Sequence, residues 1–108
     1  MIKEIKKMFN GNGEIELLHI LDESMKNEKI RVYAQVTIPP LCSIRFHKHA
    51  GDSESYYVLS GEGIYQDNDV SYIIKKGDHA FCKDGCGHGV QNNTNEPLVL
   101  MALIIYTK

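Results

Sequence analysis

Apolar and polar residues alternate almost without fault along Ile30-Arg31-Val32-Tyr33-Ala34-Gln35-Val36-Thr37-Ile38. That period of two predicts a strand, with Ile30, Val32, Ala34, Val36 and Ile38 on its packed face and Tyr33 and Gln35 opposite. Pro39-Pro40 ends it, because neither proline can donate to a ladder. Glu14 to Leu21 reads as an earlier, less regular strand, and the polar residues 22–29 as a loop. Downstream, short strands are predicted at 43–50, 54–60, 64–65, 70–74, 79–82, 88–92 and 98–106. Between them lie turn-forming stretches such as Ala50-Gly51-Asp52-Ser53, Gln66-Asp67-Asn68-Asp69 and Lys75-Lys76-Gly77-Asp78. The first residues differ. Ile2, Ile5 and Phe9 recur at helical spacing with lysines between them, and Gly11-Asn12-Gly13 would end such a helix.

Many short strands with turns at fairly even spacing imply an all-β sandwich or barrel. The last segment, Leu98 to Tyr106, is apolar on both faces. An outer strand of a monomer should show one face to water. Two packed β-layers or cover from the N-terminal segment would explain it; the favoured expectation is a subunit interface in a two-fold homodimer.

Composition narrows the possibilities. The chain has 108 residues, 43% hydrophobic and 24% charged, enough for a single core and against disorder. A formal charge of −2 gives no case for nucleic acid or an anionic membrane, and no apolar run is long enough to span a bilayer. Three cysteines behind an N-terminus without a signal-like apolar run point to a reducing cytoplasm.

The candidate chemistry sits at 46–61. His47, His49 and Glu54 fall within eight residues. On a strand over 43–50, His47 and His49 would share a face with Cα atoms roughly 6.5–7 Å apart, close enough for both imidazoles to reach one ion. Glu54 opens the next strand and can return a carboxylate to the same place.

These residues resemble the cupin superfamily. Its first motif runs Gly-x5-His-x-His-x3–4-Glu-x6-Gly, and His47, His49, Glu54 and Gly61 match it, with Leu41 in place of the leading glycine (about 41–61). Its second runs Gly-x5-Pro-x-Gly-x2-His-x3-Asn, and Gly77, Gly85, His88 and Asn92 match it, with Lys83 in place of the proline (about 77–92). Fifteen residues, 62–76, separate the two, the short spacing of compact single-domain bacterial cupins. The resemblance implies one cupin domain over 1–108, a double-stranded β-helix or jelly-roll barrel with a short N-terminal helical or extended segment. It implies His47, His49, Glu54 and His88 as metal ligands. Three imidazoles and a carboxylate suit Fe, Mn, Ni, Cu or Zn without choosing among them.

Period two places Ser43 and Arg45 on the face of His47 and His49, so Arg45 is a candidate to hold a substrate carboxylate or phosphate. Tyr56 and Val58 share the face of Glu54, and Asn92 that of His88, which completes the candidate pocket. The ordinary alternatives are a rim salt bridge for Arg45, a core tyrosine for Tyr56 and a turn-fixing side chain for Asn92. Cys86-x-His88 has ligand-like spacing, but a thiol ligand would leave the frame around Glu54 unused; Cys42, Cys82 and Cys86 are read as packing or loop thiols, and His19 and His79 as surface or satisfied histidines. The leading expectation is a metalloenzyme of dioxygenase, isomerase or decarboxylase type acting on a small chelating acid, diol or sugar; the alternatives are a non-catalytic small-ligand or sugar-binding module and a barrel with a merely structural ion.

Overall fold

The alternating segment Ile30–Ile38 (β3) forms as its pattern predicts, with Ala34, Val36 and Ile38 buried. It pairs antiparallel with Leu98–Tyr106 (β10), which in turn pairs with Asp52–Ser60 (β5). In the computed structural model, which describes all residues from Met1 to Lys108, these three strands are the middle of a six-stranded sheet. Ile2–Lys6 (β1) and Ile15–His19 (β2) extend it beyond β3, and His79–Cys82 (β8) lies beyond β5. A second sheet of four strands runs Ser43–Lys48 (β4), Gly87–Gln91 (β9), Glu62–Asp67 (β6), Val70–Lys75 (β7) in that spatial order. All named pairings are antiparallel, and the elements are strands throughout. The chain contains no helix long and apolar enough to cross a membrane.

The inner faces of the two sheets share one cluster, in which Ile15, Ile38, Tyr65, Leu98 and Leu100 have no exposed surface. Full burial of each aliphatic side chain contributes about 1.5–3 kcal/mol. β10 carries Leu98, Leu100 and Ala102 inward and Val99, Met101 and Leu103 outward, which accounts for its two apolar faces.

Of the two expectations for the first residues, the extended one forms. β1 pairs with β2 from Ile2 opposite His19 to Lys6 opposite Ile15. A helix would have buried Ile2 and Ile5 together, yet each is 58% exposed, so ladder hydrogen bonds outweigh the weak apolar periodicity.

Two irregularities set up the site. In β4 against β9, Ile44 faces Val90 and His47 faces His88, so Arg45 and Phe46 together oppose Gly89. A Cβ on Gly89 would lie 2.9 Å from the Phe46 nitrogen, so the bulge needs glycine opposite it. In β3 against β10, Val32 faces Ile104 and Ile30 faces Ile105, so Arg31 is an extra residue.

Candidate metal site

Glu54 comes from the inner face of β5, where Asp52, Glu54, Tyr56 and Val58 alternate inward. His47 and His88 come from β4 and β9, directly opposite one another in the second sheet. His49 lies just past β4, its backbone pinned by its N–H to Cys86 O at 2.9 Å and its carbonyl to Gly85 N at 2.8 Å. The two sheets thus bring together residues far apart in sequence. One ligand atom from each of His47, His49, Glu54 and His88 lies within 4.8 Å of all the others.

The outward nitrogens are all engaged. His47 Nδ1 donates to Arg45 O at 2.9 Å, and His49 Nδ1 donates to Asp52 Oδ1 at 2.7 Å. His88 Nδ1 is 2.9 Å from the Tyr65 hydroxyl. Tautomers here follow from the partner: a carbonyl or carboxylate accepts, so the ring nitrogen facing it carries the hydrogen. The inner Nε2 atoms of His49 and His88 converge on Glu54 Oε1 at 3.1 and 2.9 Å and lie 3.1 Å from each other. Donors bound at about 2.1 Å and at right angles around an ion are about 3 Å apart. These atoms therefore have the spacing, the chemistry and the fixed orientation for a divalent cation, and the group could hold one. Stacking holds two of the rings: Phe9 lies on His47 at 3.8 Å and 8°, and Tyr56 on His88 at 5.0 Å and 17°.

Electrostatics follow from that geometry. Burial alone would raise the Glu54 carboxyl, but hydrogen bonds from His49 and His88 outweigh it and hold it below its ordinary 4.5. The Glu54 hydrogen bond raises His49 above 6.5 against burial, with help from Asp52. Burial lowers His47. Burial, then the Glu54 charge, pushes the Tyr56 hydroxyl well above 10, so it stays protonated.

A cavity of about 140 Å³ adjoins the cluster. His47, His49, Glu54 and Tyr56 line it at the cluster end, while Lys6, His19 and Arg31 border it with apolar side chains of both sheets between them. Of the expected pocket residues, Tyr56 is there. Arg45 is not: the bulge puts Ile44 on the inner face and turns Ser43 and Arg45 to a groove on the outer face of the second sheet with Gln66 and Ser71. Val58 is buried in the core cluster, away from the cavity. Asn92 is fully buried and spends its amide on the protein, donating to Ile38 O at 2.9 Å and Glu96 O at 2.7 Å and accepting from Thr94 N and Oγ1. Cys86 is outside the ligand group, and all three thiols are free. His19 is satisfied by Glu4 at 3.0 Å.

Sequence reasoning missed Asp52, Tyr65, Phe9 and Arg31. Asp52 had one legible signal, its place two residues before Glu54 on the same strand face. Phe9 reaches His47 from a backbone at φ 55°, followed by Asn10 at 60°, which no spacing rule anticipates.

A family model described as "Cupin domain" matches residues 34–106. An "Oxalate-binding protein" of Thermotoga maritima is 39% identical over 103 residues, covering 95% of this chain and 85% of that protein. A crystal structure from the same organism, described as a "predicted oxalate decarboxylase", superposes with a TM-score of 0.93 at 37% identity, over 98% of this chain and 93% of that one. A "putative sugar phosphate isomerase" of Acidithiobacillus ferrooxidans shares the fold, with a TM-score of 0.83 at 24% identity over 97% of this chain and 68% of that one.

Proposed function

The chain belongs to the cupin family, and from that premise we propose that it binds a divalent transition metal through His47, His49, Glu54 and His88 and takes a short chelating acid, of the oxalate kind, in the adjoining cavity. One observation carries the reading. All three imidazoles have Nδ1 tied outward, so their Nε2 atoms and the Glu54 carboxylate are left aimed at a common point beside open space. A purely structural ion would not need that space.

When bound, the metal would supply a Lewis acid that orients and polarises the acid's oxygens. The chain's own residues do the rest. Tyr56, held protonated, donates to an oxygen of the ligand. Apolar walls, including Leu17, Val36 and Ile44, keep water from competing for it. The volume equals about four or five waters at ~30 Å³ each, which suits an acid of a few carbons.

Ligand binding without turnover is favoured over catalysis because the cavity offers no free base: Glu54 is engaged by His49 and His88, and Tyr56 is kept neutral. Turnover of the decarboxylase or dioxygenase type is the second reading, supported by the open side of the ligand cluster. Elemental analysis of protein purified without chelators, followed by calorimetric titration with oxalate, tests the proposal. About one equivalent of metal and metal-dependent oxalate binding are expected; a metal-saturated protein that ignores oxalate overturns it. Carbon dioxide release and dioxygen uptake separate the two readings.

The outer face of the larger sheet supports a homodimer. Met101 and Leu103 of β10 are flanked by Tyr57 of β5 and Tyr33 of β3, and Phe81 of β8 is 53% exposed beyond them. A second copy of the same face would cover this apolar area symmetrically. Three free thiols agree with a cytoplasmic setting.

A further inference from the structure

Arg31 breaks the alternation of its strand. With no counterpart on β10, it is the extra residue of a bulge, and bulges re-aim side chains. Its guanidinium turns to the barrel mouth, where Nη1 donates to Asp52 Oδ2 at 2.6 Å. Asp52 is 3% exposed, and its other oxygen accepts from His49 Nδ1. One buried carboxylate therefore anchors both a candidate metal ligand and this arginine, which fixes the distance between them.

The anchoring leaves capacity over. A guanidinium has five N–H donors, and the side chain of Arg31, 51% exposed, places one nitrogen on Asp52. The other basic side chains at the rim already have a partner, since Lys6 and His19 share Glu4 at 3.4 and 3.0 Å. Arg31 thus brings unmatched, directional donors to the cavity that holds His47, His49 and Glu54.

Resting on the metal-and-acid reading above, we infer that Arg31 receives the outward carboxylate of the bound acid and makes the site select short dicarboxylates over monocarboxylates. A planar fork suits a carboxylate edge, and the preformed Asp52 contact means little side-chain freedom is lost on binding. Charge-assisted hydrogen bonds of this kind correspond to about tenfold to a hundredfold in affinity.

The test compares malonate with acetate on metal-saturated protein by calorimetry, with metal content checked in each sample. Wild type is expected to prefer malonate. Arg31→Gln should weaken malonate about tenfold or more while acetate moves less than about twofold, so the preference collapses. Arg31→Lys keeps a cation opposite Asp52 and guards against a variant that fails to fold; it should retain metal yet lose most of the preference, because an ammonium cannot fork. If wild type prefers malonate and both variants keep that preference, the inference alone is overturned. If metal-saturated wild type binds neither acid, the reading beneath it falls, and the inference falls with it.

Discussion

Asp52 accepts the His49 Nδ1 hydrogen at 2.7 Å, and both side chains are buried. That bond fixes the ring's tautomer and aims Nε2 at the cluster. Asp52→Ala should therefore lower metal affinity about ten- to a hundredfold, measured by competition with a chelator. Asp84→Asn is the control. Asp84 also accepts hydrogen bonds, from Gly51 N and Thr107 Oγ1, but on an exposed loop; its replacement should leave metal affinity unchanged.

The response to pH follows from the directions of the shifts. Without metal, His49 is raised above 6.5, and its proton must leave before Nε2 can bind an ion. Metal affinity should fall as pH drops through that raised value, with protons released on binding, both readable by calorimetry in buffers of different ionisation enthalpy. Glu54 gives a separate edge. Its folded value lies below 4.5, so its contribution to stability is present above the unfolded value and is lost as pH falls through the folded one. Thermal midpoints of metal-free protein should drop below about pH 4.5, and Glu54→Gln should flatten that limb. An unchanged acid limb in Glu54→Gln would place the titrating group elsewhere.

Leu41 stands where the first cupin motif has glycine, and its backbone shows the consequence. Pro39 to Cys42 closes a turn, with Cys42 N–H to Pro39 O at 3.1 Å, and Leu41 sits at φ 64°. Glycine takes that conformation freely at the third position of such a turn; a side chain costs about 1–2 kcal/mol there. The leucine is 72% exposed, so little packing offsets the cost. Leu41→Gly should raise stability by about 0.5–1 kcal/mol, after allowing for the greater freedom of unfolded glycine. A thermal midpoint a few degrees higher is the expected result, and a lower midpoint would mean that Leu41 packs against something in the assembled protein.

How far the sequence could be read depended on whether a local rule held. Alternation in Ile30–Ile38 and the turn residues between short runs were enough for an all-β barrel, because most of its strands keep one face in the core. The four clustered side chains were legible because their spacing survives folding: His47 and His88 face each other across adjacent strands. Arg45 departs from the expectation because period two assumes an unbroken ladder, and the extra residue opposite Gly89 shifts every side chain before it to the other face. Asp52 reads from the sequence as part of the turn Ala50-Gly51-Asp52-Ser53, whereas β5 begins at Asp52 itself. Tyr65 lies on β6, distant in sequence from His88, and no spacing links the two. The N-terminal strand was ambiguous because only its pairing with β2, a tertiary event, decides between helix and extended chain.

The outer face of β10 gives the last test. Leu103 lies between Tyr33 and Ser55 on that face, while its neighbours Ala102 and Ile104 border the cavity. In the proposed homodimer a glutamate at 103 would put a charge into the two-fold interface, where each copy would meet the other's identical charge without a partner. If that homodimer forms, wild type is expected to sediment as a dimer and Leu103→Glu as a monomer. Its metal content should be unchanged, because the substituted side chain points away from His47, His49, Glu54 and His88. A wild type already monomeric at tens of micromolar would overturn the homodimer, and a variant that stays dimeric would move the interface to another surface.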